Sequence, residues 1–188
     1  LPWAETYPDA QVTAIDVAAP VLRYAHARAE SMGVPVDFRQ MNATAMDFED
    51  EQFDVVFSSM FMHELPLKHI HQYLKEAFRV LKPGGVLWQM ELPPMNAMPL
   101  YENFYMNWDT YYNNEPYYGT FRKQDYRQLL TDAGFAADDF IEATMPRYTF
   151  IGEEAFAESI HSDNTFDTLT GRMDPKGTRW YGFGAWKR

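Results

Sequence analysis

The chain has 188 residues, 46% hydrophobic and 16% aromatic, which supplies enough apolar surface for one compact domain with a core and excludes a disordered chain. Its formal charge is −11 with no run of Lys or Arg, so a phosphate-tracking stripe is excluded and nucleic acid is not expected as a partner. There is no cysteine, hence no disulfide and no thiolate metal site, and no apolar run reaches the roughly 18 residues of a membrane span.

The first residues, Leu1-Pro2-Trp3-Ala4-Glu5, carry neither a basic region nor a signal-peptide core, so the expected location is cytoplasmic, with no membrane association. Leu1–Tyr7 reads as the tail of a helix with Trp3 and Tyr7 on one face. Gln11–Val17 is a short β-branched run after a turn, and reads as a buried strand. A helix follows from Pro20, with Val21, Leu22, Ala25, Ala29 and Met32 at helical spacing and Gly33 as its stop. Val36–Met41 is a second strand, and Phe53–Ser58 a third, apolar enough to be covered on both faces.

Leu67, Ile70, Leu74, Ala77, Phe78 and Leu81 form a strong helical stripe closed by Lys82-Pro83-Gly84-Gly85. Val86–Leu92 is the fourth strand. An irregular aromatic stretch comes next, then a helix over about Lys123–Ala133 with Gly134 beyond it. Asp139–Met145 and Thr178–Trp186 read as two last strands, the second introduced by the turn Asp174-Pro175-Lys176-Gly177. Strands separated by helices of this length imply parallel crossovers, so the expected fold is α/β: a doubly wound, mostly parallel sheet with helices on both faces. The whole of 1–188 reads as a single domain, with 95–121 inserted as an aromatic cap.

Ligands in such sheets sit beyond the carboxyl ends of the strands. Asp16 stands at the first of these ends, where two acceptor oxygens suit the two hydroxyls of a ribose; a turn aspartate or a helix cap is the plainer alternative. Asn42 at the second can donate and accept, as the edge of an adenine requires, or be an ordinary loop residue. The third end is Ser58-Ser59-Met60-Phe61-Met62-His63-Glu64. His63-Glu64 is not a zinc-protease motif, since Leu67 stands four after His63 and Pro66 interrupts the helix, and no metal is expected. His69 and His71, two apart on a helix, do not share a face and read as solvated.

QVTAID, then MNATAMDFEDEQFDVVFSSMFMHEL, then EAFRVLKPGGVLWQMEL, then LLTDAGF, resembles in order and spacing the second and later motifs of the class I S-adenosylmethionine-dependent methyltransferases, over about residues 11–135. The resemblance implies a Rossmann-like methyltransferase fold with S-adenosylmethionine as cofactor and methyl transfer to a small molecule. It places Asp16, with Val17 beside it, on the cofactor ribose, Asn42 and Ala43 at the adenine, the Asn42 oxygen meeting the adenine amino group, and Ser58, Ser59 and Met60 along the methionine and the methyl. RVLKPGG reads as structural.

His63 is the candidate base for an acceptor that must lose a proton, with Glu64 as its orienter; a helix-start histidine bonded to backbone is the alternative. Tyr105, Trp108 and Tyr112, within an aromatic run from Tyr101 to Phe121, are candidates to contact the substrate as part of a cap, against the commoner outcome of plain packing. Self-association is left open.

The sequence departs from the resembled pattern in one place. The family's glycine-rich loop belongs before Asp16, whereas the first glycine here is Gly33, and Gly182 and Gly184 in the last strand cannot replace it. The expectation is therefore a central strand and its glycine loop upstream of Leu1 or supplied by another chain, since Leu1–Tyr7 is too short for a strand with a crossover of at least about 10 to 12 residues. A nicotinamide-dependent dehydrogenase would share the sheet and Asp16 but not the FDVVFSS to RVLKPGG succession. A methyltransferase-like binding or assembly subunit without catalysis is the competing reading.

Overall fold

Two ladders account for the six strands among the described residues of the computed structural model, which are 1–98, 100–146 and 179–188. The predicted turn at Asp174–Gly177, with Thr178, lies outside them. The chain divides into two compact units, Leu1–Phe48 and Glu49–Arg188.

In the first unit, helix α1 (Pro2–Thr6) carries Trp3, whose ring stacks on that of Tyr7 at 5.7 Å, as the helix-tail reading expects. Strand β1 (Thr13–Asp16) leads to α2 (Ala19–Met32) and returns to β2 (Asp37–Gln40), which pairs parallel to β1 from Thr13↔Asp37 to Asp16↔Gln40. Gly33 ends α2 at φ 69°, a left-handed geometry that glycine adopts without a Cβ clash, and its N–H returns to Ala29 and Glu30. The expected apolar stripe of α2 is not buried: Ala29 alone is, while Val21, Tyr24 and Met32 are exposed. A two-stranded ladder is too narrow to cover a full helical face.

The second unit has the strand order β3-β4-β6-β5, with β3 at Phe53–Ser59, β4 at Leu81–Glu91, β5 at Phe140–Pro146 and β6 at Arg179–Trp186. β3 and β4 are parallel, whereas β6 runs antiparallel to both of its neighbours. The sheet is thus more mixed than expected, because β6 is reversed and inserted between β4 and β5. Periodicity reports which residues share a face of a strand and carries no information on strand direction. β3 is also not covered on both faces, since Val55 and Phe57 keep 43% and 38% exposure. Among the described residues β1 pairs with β2 alone and β3 with β4 alone.

Helix α3 (Leu67–Val80) buries Ile70, Tyr73, Leu74, Ala77 and Val80 on one side. It packs against α6 (Tyr126–Ala133), and Phe78 meets Phe135 edge to face at 4.9 Å. Asp125 caps α6 by accepting the Gln128 N–H at 3.0 Å. The KPGG turn is a bulge at the start of β4: the ladder steps from Phe53↔Leu81 to Val55↔Val86, leaving Lys82–Gly85 looped out. Lys187 closes that corner, donating from Nζ to the carbonyls of Phe78 at 2.9 Å and Leu81 at 2.7 Å at the end of α3. The glycines of β6 serve packing, for a Cβ at Gly184 would lie 1.9 Å from the Leu87 carbonyl oxygen.

Candidate active site

Alternation along β4 puts Leu87, Gln89 and Glu91 on one buried face, so an apolar face turns polar toward the carboxyl end of the strand. Two buried polar side chains in succession need partners. Gln89 finds Ser58 of β3 and the hydroxyl of Tyr73 on α3, 3.0 Å from its amide nitrogen. Glu91, fully buried, accepts three hydrogen bonds: the backbone N–H groups of Phe61 at 2.7 Å and Met62 at 2.6 Å, and Nδ1 of His63 at 2.7 Å.

The chain reaches this arrangement because β3 ends abruptly. Met60 takes φ 51°, a left-handed value costly for a residue with a Cβ, while its N–H still bonds the Met90 carbonyl at 2.8 Å. The backbone then turns into a short 3₁₀ helix at Met62–Glu64, whose leading N–H groups point at Glu91. His63 is 4% exposed and packs edge to face on Tyr118 at 5.5 Å. A carboxylate can only accept, so Nδ1 carries a proton, and in the neutral form of the ring Nε2 keeps its lone pair.

Glu64 does not orient His63. It lies on the Nε2 side at 3.6 Å and is largely exposed, while the orienting carboxylate is Glu91, 28 positions away in sequence. Adjacency in sequence favoured Glu64, but the hydrogen-bonded partner comes from β4, which only the pairing of β3 with β4 brings to His63. Glu115 also faces this space. A ring nitrogen of His63 and one oxygen each from Glu64 and Glu115 lie within 4.8 Å of one another, a set that can hold a proton, an ammonium or a cation. The Glu115 Oε2 atom is buried without a hydrogen bond, and burial, ahead of the opposing charge of His63, raises its pKa. For His63 burial alone would lower the pKa, but the hydrogen bond and charge of Glu91, with the charges of Glu115 and Glu64, outweigh it and raise the imidazole above its ordinary value of 6.5.

The other predicted residues fall into two groups. In the first unit, Asp16 ends β1 and its carbonyl accepts the N–H of Met41 at 3.0 Å, so the ends of β1 and β2 are adjacent and bring Asp16 and Val17 near Asn42 and Ala43. Asp16 Oδ1 accepts the Ala18 N–H at 2.7 Å, and its second oxygen has no hydrogen bond among the described residues. The Asn42 oxygen is committed to the N–H and hydroxyl of Thr44, both at 2.9 Å, so only its amide nitrogen is available to a ligand, in place of the oxygen expected to meet an adenine. In the second unit, Ser58, Ser59 and Met60 lie beside the ends of β3 and β4, with Ser58 turned to Gln89. Tyr105, Trp108 and Tyr112 sit on α4 (Leu100–Tyr112), 55%, 51% and 66% exposed, with Trp108 and Tyr112 in contact at 4.6 Å.

Sequence reasoning missed Glu91 and Glu115. For Glu91 there was a signal: in Val86–Leu92 the positions alternating with Val86, Trp88 and Met90 are Leu87, Gln89 and Glu91, and no simple core strand places Gln and Glu on its covered face. Glu115 had none, since its approach to His63 depends on how the chain packs after α4.

Residues 1–85 match a family described as a methyltransferase domain. The chain is 30% identical over 177 residues to the ubiquinone/menaquinone biosynthesis C-methyltransferase UbiE of Bartonella henselae, covering 91% of this chain and 62% of that protein. It is 37% identical over 90 residues to the demethylmenaquinone methyltransferase of Thermus thermophilus, covering 48% and 40%. It therefore spans about three fifths of the former and two fifths of the latter. Among solved structures it resembles a methyltransferase from Methanosarcina mazei, with TM-score 0.59, 22% identity and coverage of 94% of this chain and 82% of that one. It also resembles phosphoethanolamine N-methyltransferase 2 of Haemonchus contortus in complex with S-adenosyl-L-methionine, with TM-score 0.60, 20% identity and coverage of 94% and 43%. The motif succession, the strand arrangement and these likenesses agree: residues 1–85 match a methyltransferase domain, and the fold is the one seen in S-adenosylmethionine-dependent methyltransferases.

Proposed function

We propose that the protein transfers a methyl group from S-adenosylmethionine to a small-molecule acceptor that gives up a proton to His63. The observation that carries this reading is the buried Glu91–His63 pair, which makes Nε2 of the neutral ring an acceptor of raised basicity just beyond β3.

When bound, S-adenosylmethionine supplies a methyl group already activated on a sulfonium, so no protein nucleophile is needed. The residues present suit that cofactor: an acceptor-only carboxylate at Asp16 with one oxygen uncommitted fits a ribose hydroxyl. Within the same unit, Val17, Asn42 and Ala43 would complete the nucleoside site. His63 takes the acceptor proton at Nε2, and Glu91 stabilises the imidazolium so formed. The relatives' names refer to ubiquinone and menaquinone biosynthesis, and the aromatic density of 95–121 suits a hydroxylated ring, whose oxygen would lose the proton to His63.

The test combines calorimetry with S-adenosylhomocysteine and turnover on a panel of hydroxylated ring acceptors, using the full polypeptide. Asp16→Ala is expected to weaken cofactor binding by about 1–3 kcal/mol, and His63→Gln to lower kcat by about 100-fold or more with cofactor affinity retained. Cofactor binding without turnover on any acceptor would favour the binding-subunit reading instead, and an unchanged kcat in His63→Gln would make His63 structural.

A further inference from the structure

Arg122 lies on α5 (Tyr118–Arg122), where the chain comes back beneath α4, and its side chain is 1% exposed. A buried guanidinium is expected to face a carboxylate. This one does not. Nε donates to the Pro93 carbonyl at 2.9 Å, just beyond β4, and Nη2 to Asn103 Oδ1 at 2.7 Å, with the Met98 sulfur at 2.9 Å. All three acceptors are neutral, and the sulfur is a weak one. Nη1 is buried with no hydrogen-bond partner. Burial lowers the arginine's pKa, and the opposing influences come from the Tyr118 and Tyr126 hydroxyls, with no carboxylate among them.

An unpaired buried cation costs several kcal/mol unless something neutralises it. Its surroundings indicate what that is. Arg122 lies 5.9 Å from the centroid of the Tyr118 ring, the ring that His63 meets at 5.5 Å. The carboxylates of Glu64 and Glu115 gather at His63, and among the described residues none pairs with Arg122.

We infer that Arg122 binds an anionic group of the methyl acceptor, a carboxylate in the simplest case, so that the acceptor lies along Tyr118 with its proton-bearing end at His63 and its charged end at Nη1 and Nη2. The inference rests on the proposed methyl transfer and names the acceptor class: small organic acids that also carry an ionisable hydroxyl or amine. The thioether of Met98 is the contact an incoming carboxylate displaces, because it is the weakest acceptor on Nη2 and a charge-assisted bidentate pair replaces it. Arg122 also holds Asn103 of α4, so occupation of this site is coupled to α4.

The test is titration calorimetry of the full polypeptide at pH 8 with 4-hydroxyphenylacetate and its uncharged isostere 4-hydroxyphenylacetamide. The carboxylate is expected to bind at least roughly tenfold more tightly than the amide, about 1.4 kcal/mol. Arg122→Gln should bring the two within about twofold of each other, and Arg122→Lys should restore part of the preference. Equal affinity for the two probes, binding of neither, or a preference that survives in folded Arg122→Gln overturns the inference. If that variant does not fold, the wild-type comparison decides alone. His63→Gln separates the two ideas: it should abolish turnover and keep the preference for the carboxylate, whereas a carboxylate preference in a protein that never turns over overturns the methyl-transfer reading and leaves the Arg122 site standing.

Discussion

Helices α3 and α4 are nearly equal in length, 14 and 13 residues, and both are rich in apolar side chains, yet they end up in opposite environments. In α3 the apolar residues recur on one side while Lys68, Lys75 and Arg79 take the other, so one face can be dried completely, and Leu74 is 0% exposed. In α4 the apolar and aromatic side chains also share one side, at the spacing 100, 104, 105, 108, 111 and 112, yet Leu100, Phe104, Tyr105, Trp108, Tyr111 and Tyr112 all remain exposed. Angular segregation is therefore not enough for burial: α3 has α6 and β4 packed on its apolar side, and among the described residues no comparable element covers that of α4. The dry face of α3 also carries Tyr73 to the polar network at the end of β4, so the best-packed part of the chain adjoins its candidate chemistry.

The contrast breaks most severely at Glu91. Glu91→Ala removes one carboxylate and leaves three donors without an acceptor in a dry site, so unfolding in urea should show a loss of about 3–5 kcal/mol. A loss below about 1 kcal/mol would mean that water replaces the carboxylate and that the site is wetter than α3's packing implies. The next effect is in pH. A base must be unprotonated, so kcat should rise through the pKa of His63, with a midpoint above 6.5, and Glu91→Gln should shift that midpoint downward by removing the charge that raises it. The linked stability has the opposite slope: a raised folded-state pKa stabilises fully below the unfolded value of about 6.5 and is lost as pH climbs through the folded value. A midpoint that stays put in Glu91→Gln assigns the titration to another group. The smallest change is expected on α4. Trp108→Ala should alter stability by no more than about 0.5 kcal/mol, as an exposed substitution does, while raising the acceptor KM if the aromatics meet substrate. A large fall in Tm with KM unchanged would make α4 part of the core.

The amphipathic order of the chain was legible wherever a strong local pattern coincided with a stop: α2 before Gly33, α3 before KPGG, α6 between Asp125 and Gly134. It was less legible where direction or coverage mattered. Nothing local in Arg179–Trp186 distinguishes a reversed strand from a parallel one, and the close approach at Gly184 becomes evident only when Leu87 lies opposite. The site divides the same way. His63 stood out as a polar residue after an apolar strand, but its partner was assigned to the neighbouring Glu64, because the pairing of β3 with β4 that brings Glu91 to His63 cannot be seen in one dimension.

By itself the sequence determined the α/β class, the succession of motifs that resembles that of the methyltransferases, and the strand ends at which Asp16, Asn42 and His63 stand. Those properties depend on hydrophobic period, turn residues and spacing, all of them local. Only the tertiary structure decided that Glu91 holds His63, that Glu115 joins it, and that Arg122 is buried without a counter-charge among the described residues. Each of these depends on residues about 20 or more positions apart meeting in a medium of low dielectric, where the strength of a charge is set by what packing has placed around it.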